Sequence, residues 1–117
     1  MGILRFEDLI AWRKSQDFAV IIYNEFASVK DFGFQDQIKR AVVSISNNIA
    51  EGFDRNTRPD FSRFLFYAVA SCSEVKSMLY LAERLNHISS ERREFLIEKA
   101  NEISRIIGGL IKSLKKN

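Results

Sequence analysis

Proline, cysteine, histidine and tryptophan each occur once in this 117-residue chain, and glycine occurs five times. A lone Cys72 cannot form an internal disulfide, which fits a reducing compartment and argues against a disulfide-stapled secreted scaffold. A lone His87, with no second His or Cys close to it in the chain, is a poor start for a metal cluster. So little glycine and proline leaves scant material for tight turns and favours a few long elements over many short strands. Long apolar runs are missing as well. The longest uncharged apolar stretch, FLFYAVA, is far below the roughly 20 residues that a membrane span needs. The N-terminus, MGILRFEDLIAWRK, carries Glu7 and Asp8 and no long apolar run, so it does not read as a secretory signal. The expectation is a cytoplasmic protein with no membrane partner.

What the chain does have is core material. Hydrophobic residues make up 46%, with ten Phe among them, enough to fill the interior of one domain spanning residues 1–117. Their spacing is helical. Leu9, Trp12, Ala19, Ile22, Tyr23 and Phe26 recur at three, four and seven, predicting a first helix from about Asp8, its N-cap, to Ala27. Ile38, Ala41, Val42, Ile45 and Ile49 predict a second from about Gln35 to Glu51, with Gly52 as a left-handed residue just past its end. Pro59 suits the first turn of a third helix reaching Asn86. Its stripe is Phe61, Phe64, Leu65, Ala68, Cys72, Val75, Leu79, Ala82 and Leu85. A fourth helix starts near Ser90, with Glu91 at its positive end and Leu96, Ala100, Ile103, Ile107, Leu110 and Leu114 facing inward. Gly108 and Gly109 fall inside it, which implies either a bend or a close neighbour. No segment alternates with period two. The fold class is therefore all-α, an antiparallel up-down-up-down four-helix bundle.

One stretch departs from the usual helix surface. From Ala41 to Ala50, AVVSISNNIA, there is no charge anywhere around the second helix, and Phe64 to Ser73, FLFYAVASCS, repeats the feature on the third. An outward bundle face normally carries charge. On a wheel of about 100° per residue, Gln37, Arg40, Ser44, Asn48 and Glu51 share one arc beside the apolar face. Val43, Ser46, Asn47 and Ala50 occupy the remaining side. The expectation is that a second copy covers this hairpin. Gln37, Arg40, Ser44, Asn48, Glu51, Phe66, Tyr67 and Glu74 are its candidate residues, Ser and Asn fixing the pairing by hydrogen bonds.

For catalysis one looks for a nucleophile with a base, a carboxylate pair in a cleft, or a metal cluster. None can be assembled here. His87 reads as a helix-end residue, Cys72 as a buried thiol, and Glu51 and Glu74 as carboxylates paired for structural reasons, Arg40 or Arg63 being candidate partners. No Gly-rich phosphate loop is present, so no catalytic residue, cofactor or metal is expected. The net charge of +3 weakly favours an anionic partner. Arg55, Arg58 and Arg63 cluster around the second loop, and Lys112, Lys115 and Lys116 end the chain. These six are the candidate contacts for RNA or DNA. A scaffold that binds a protein partner is the competing class.

The segments FEDLIAWRKS, QIKRAVVSISNNIAEG and AVASCSEV, taken in order, resemble the 23S rRNA intervening-sequence proteins over nearly the whole chain. Ser46 stands where that family often has Pro, and Ala70 where it often has Gly. The resemblance implies a small bacterial four-helix bundle that assembles as a homo-oligomer, commonly a pentamer, with no established biochemical role. It is also distantly similar in fold to the accessory protein of diversity-generating retroelements, a pentameric bundle with a basic surface that binds nucleic acid and a reverse transcriptase.

Overall fold

A computed structural model describes residues 2–115. A short 3₁₀ turn, Phe6–Asp8, leads into four helices: α1 (Ile10–Glu25), α2 (Phe32–Phe53), α3 (Arg58–Arg84) and α4 (Ser90–Leu114). No strand occurs among the described residues. Contacts between neighbouring helices run in opposite directions. Lys14 near the start of α1 pairs with Glu102 of α4, and Glu25 at its end pairs with Arg92 at the start of α4. Likewise Phe26 meets Phe34 across the first turn, while Gln16 reaches back to Ser46. Across α2 and α3 Ser44 meets Ser71 and Gly52 meets Phe64, and across α3 and α4 Glu83 meets Arg93 and Lys76 meets Asn101. Each helix is thus antiparallel to its neighbours, and α1 closes against α4 in a rod of 48 × 21 × 19 Å.

Three helix starts carry side-chain caps, which satisfy amide groups that have no partner within the helix. Asp31 accepts from the Phe34 amide, Thr57 from Asp60 and Ser89 from Arg92. Pro59 sits in the first turn of α3, where its missing N–H costs nothing. The fourth start differs from expectation. Asp8 does not cap α1. It lies in the 3₁₀ turn, and Leu9, whose side chain has no oxygen to offer, takes the cap position. An edge-to-face contact of Phe6 with Trp12, centroids 5.3 Å apart, and bonds from Arg13 to the carbonyls of Glu7 and Asp8 fix the start of this helix instead.

The core is a continuous column of Phe18, Ile22, Phe26, Ile38, Val42, Ile45, Ile49, Leu65, Val75, Leu79, Leu96 and Ile107. On α1 the buried stripe is Ala11, Ser15, Phe18 and Ile22, one step around from the expected one, so Tyr23 is 42% exposed. Ser15 is tolerated inside because its hydroxyl donates to the Ala11 carbonyl at 2.7 Å. Leu85 lies beyond the last turn of α3 and is exposed. Cys72 is buried as expected, and burial pushes its thiol pKa up.

Two glycine expectations change. Gly52 is not a left-handed terminal residue. α2 continues through it to Phe53, and the left-handed positions are Asn56 and Asn86. Gly52 is there for space: a Cβ on it would lie 2.5 Å from Phe64 Cβ, so its absence lets α2 and α3 approach at the turn. At Gly108 and Gly109 an added Cβ would meet nothing within 4 Å among the described residues, so no close neighbour there accounts for the glycines. α4 runs through both as helix.

Candidate nucleic-acid interface

Antiparallel packing places the start of α1, the turn joining α2 to α3, and the end of α4 at one end of the rod. A shallow apolar groove between Ile10 of α1 and Leu110 of α4 marks the same end. Arg55, Arg58 and Arg63 therefore share it with Lys112 and Lys115, although about fifty residues separate the two groups in sequence. Lys116 lies outside the described residues. With each helix cut at its midpoint, this half holds Arg5, Arg13, Lys14, Arg55, Arg58, Arg63, Arg105, Lys112 and Lys115. Against them stand Glu7, Asp8, Asp17, Glu51, Asp54 and Asp60, with Glu102, the middle residue of α4, paired to Lys14. The positive excess of the described residues is concentrated here, because in the other half acids and bases balance.

The arginines at the α2–α3 turn are held by aromatic rings. The Arg55 guanidinium lies 4.8 Å from the Phe64 ring centroid, and that of Arg63 lies 5.0 Å from the same ring and 5.9 Å from Tyr67. Phe64 and Tyr67 meet edge to face at 5.4 Å. Arg55 also pairs with Glu51 at 3.4 Å, and Arg63 with Asp60 at 3.2 Å. Arg63 donates to the Tyr67 hydroxyl at 3.4 Å. That bond, followed by the one to Asp60, raises its pKa further. Arg58 is exposed in the first turn of α3. A guanidinium stacked on a ring face can still donate hydrogen bonds in its own plane.

The expected polar stripe on α2 is used differently. Ser44 accepts from Ser71 of α3 at 2.9 Å and from the Asn48 amide at 2.9 Å, and Asn48 also donates to the Ser44 carbonyl. These groups seal the α2–α3 seam within the chain. Arg40 pairs with Asp36, not with Glu51, while Gln37 and Glu74 are exposed. Ser46, expected on the outward side, is buried, because α1 covers it and Gln16 donates to its hydroxyl at 2.9 Å. On the outer side Asn47 of α2 and Phe66, Ala70 and Ser73 of α3 are exposed, with Val43 and Ala50 half-buried, and none of these six carries a charge. Phe66 and Tyr67 are adjacent on α3 and so point about 100° apart. Phe66 joins this uncharged face, and Tyr67 joins the arginines.

At the opposite end His87 meets Asp31 at 3.2 Å and packs edge-on against Phe34 at 5.2 Å. The Asp31 carboxyl is held below the ordinary carboxylate range, first by the Phe34 amide and then by His87. His87 thus joins two turns. Among the described residues no group of three or more His, Cys, Asp or Glu is placed to hold a metal ion. No helix among the described residues is long and apolar enough to cross a membrane.

The family model described as 23S rRNA-intervening sequence protein matches residues 7–109. Among solved structures, a protein of unknown function from the S23 ribosomal protein family of Bacteroides thetaiotaomicron is 31% identical, with a TM-score of 0.82. That alignment covers 88% of this chain and 99% of the other. No curated protein matches the chain. The family match spans most of the sequence and the fold agrees over the same helices, so the chain belongs to the 23S rRNA-intervening sequence protein family.

Proposed function

We propose that this protein is a non-enzymatic, cytoplasmic, homo-oligomeric bundle that binds nucleic acid, RNA first, through the basic end of the rod. The observation that supports this reading is the juxtaposition of Arg55, Arg58 and Arg63 with Lys112 and Lys115 at one end of the bundle. The single patch is modest, since Glu51 and Asp60 offset part of it. Assembly multiplies it, and repeated phosphate contacts add steeply to affinity at low salt. The uncharged face of Val43, Asn47, Phe66, Ala70 and Ser73 is the proposed contact between copies, and a ring of five is what the family resemblance implies.

A titration of labelled stem-loop RNA and duplex DNA by fluorescence anisotropy, at several salt concentrations, tests the reading. Log affinity should fall linearly with log salt, and the combined Arg55→Glu, Arg58→Glu and Arg63→Glu variant should bind weakly or not at all. No binding at the lowest salt overturns the proposal. Tyr80, Leu81 and Leu85, exposed on the outer side of the far end of α3, favour the competing reading of a protein scaffold, which that outcome would bring forward.

A further inference from the structure

Three arginines around a turn attract any nucleic acid, duplex or single-stranded, because phosphate contacts carry no information about base pairing. The same turn also presents an aromatic ring. Tyr67 is 45% exposed, while Phe64 beneath the guanidinium groups is buried. The rings have therefore divided the work. Phe64 packs beneath Arg55 and Arg63, and Tyr67, which Arg63 also overlies at 5.9 Å from the ring centroid, keeps much of its remaining surface open. An open ring beside phosphate-binding donors matches an unpaired nucleotide, whose base is free to leave its stack. A base inside a duplex is already stacked on both faces and has none to offer.

We infer that this patch takes single-stranded nucleic acid, the arginines holding the phosphates and the exposed Tyr67 ring stacking on an unpaired base. The inference rests on the nucleic-acid reading above and narrows it to a ligand class. The acids nearby do not block it. Glu51 and Asp60 form exposed pairs, with side-chain exposures of 58% and 39%, and such pairs hold their partners weakly against a phosphate.

The test compares a labelled uridine dodecamer with a blunt RNA duplex of equal strand length, at one salt concentration and then across a salt series. The single strand is expected to bind at least about tenfold more tightly. Tyr67→Ala should weaken single-strand binding roughly five- to hundredfold, the range seen when one base–aromatic stack is removed, with the salt slope unchanged. Tyr67→Phe should keep most of the affinity, because the ring and not the hydroxyl makes the stack. Arg63→Gln should weaken both ligands and lower the salt slope by about one. Tyr67 is exposed, so these variants should keep their helical circular dichroism. Equal affinity for strand and duplex, with Tyr67→Ala indifferent, would overturn the inference and leave nucleic-acid binding standing. Absence of binding to both ligands would overturn the two together.

Discussion

Gly52 and Gly109 both lie inside helices, yet alanine should have opposite effects at the two positions. In a helix interior, alanine is favoured over glycine by up to about 1 kcal/mol, because glycine has more backbone freedom to lose. At Gly109 an added methyl meets nothing within 4 Å, so the full gain should appear. At Gly52 the methyl would lie 2.5 Å from Phe64 Cβ and 3.3 Å from the Phe61 ring. Carbon atoms pack best about 3.5 Å or more apart, so α2 and α3 would have to separate by roughly 1 Å at the turn. Phe64 Cβ is fixed to the α3 backbone and cannot rotate away. Overpacking of this kind costs about 1–3 kcal/mol, which exceeds the propensity gain. Gly52→Ala should therefore lose about 1–2 kcal/mol, and Gly109→Ala should gain up to about 1 kcal/mol. For a chain of this size each kcal/mol moves the Tm by about 4 °C. Urea unfolding followed by circular dichroism, at one fixed protomer concentration because assembly contributes to stability, measures both. If Gly52→Ala raised the midpoint as Gly109→Ala does, the steric argument would be wrong. A loss at Gly109 would mean that the glycine pair touches something outside the chain.

Asp31 has a folded-state pKa below its ordinary value, so it contributes stability that is complete above the ordinary carboxylate range and lost as pH falls through the lowered value. Unfolding midpoints measured from pH 5 down to pH 2 should therefore decline less steeply in Asp31→Asn than in the native chain, and parallel curves would refute the assignment. Cys72 is buried with its thiol pKa raised, so Ellman's reagent should leave it untouched in the folded protein and react fully in urea. Rapid reaction without denaturant would show that the helices part more readily than the packing implies. Asn47→Lys combined with Ala70→Lys places charge on the uncharged outer face and should reduce the mass seen by light scattering to that of a monomer, with helicity intact. An unchanged mass would move the contact between copies elsewhere.

The four helices were legible because the apolar spacing of α2, α3 and α4 is long and regular. The caps Thr57 and Ser89 and the position of Pro59 follow the same local chemistry. What escaped the sequence depends on which neighbour covers a residue. Ser46 and Asn47 are adjacent and equally polar, yet one is buried under Gln16 of α1 and the other faces outward. Helical periodicity gives the angle of a side chain, not the identity of the helix that meets it. Gly52 reads as a helix end because glycine often follows the last helical turn; the contrary signal is Phe64, well past the first turn of the next helix, which only the packing angle brings opposite it. Asp8 has the right chemistry for a cap, but it is taken up in the 3₁₀ turn that the Phe6–Trp12 contact accompanies. At the candidate site Arg55, Arg58 and Arg63 were visible as a cluster. Their meeting with Lys112 and Lys115 is a consequence of antiparallel packing, and the pairing of Glu51 with Arg55 replaces the partners the sequence suggested.

The seam between α1 and α4 differs from the other three in how it is tied. Short turns join α1 to α2, α2 to α3 and α3 to α4, so each of those pairs forms between segments close in the chain. No turn links α1 to α4. Their contact waits until the whole length of the protein has come together, and side chains such as Lys14 with Glu102 and Arg92 with Glu25 hold it. α1 is also the shortest of the four helices. We therefore expect this seam to be the first to open in the native state. Amide protons of α1 should exchange with solvent through a partial opening that leaves the α2–α3 hairpin protected.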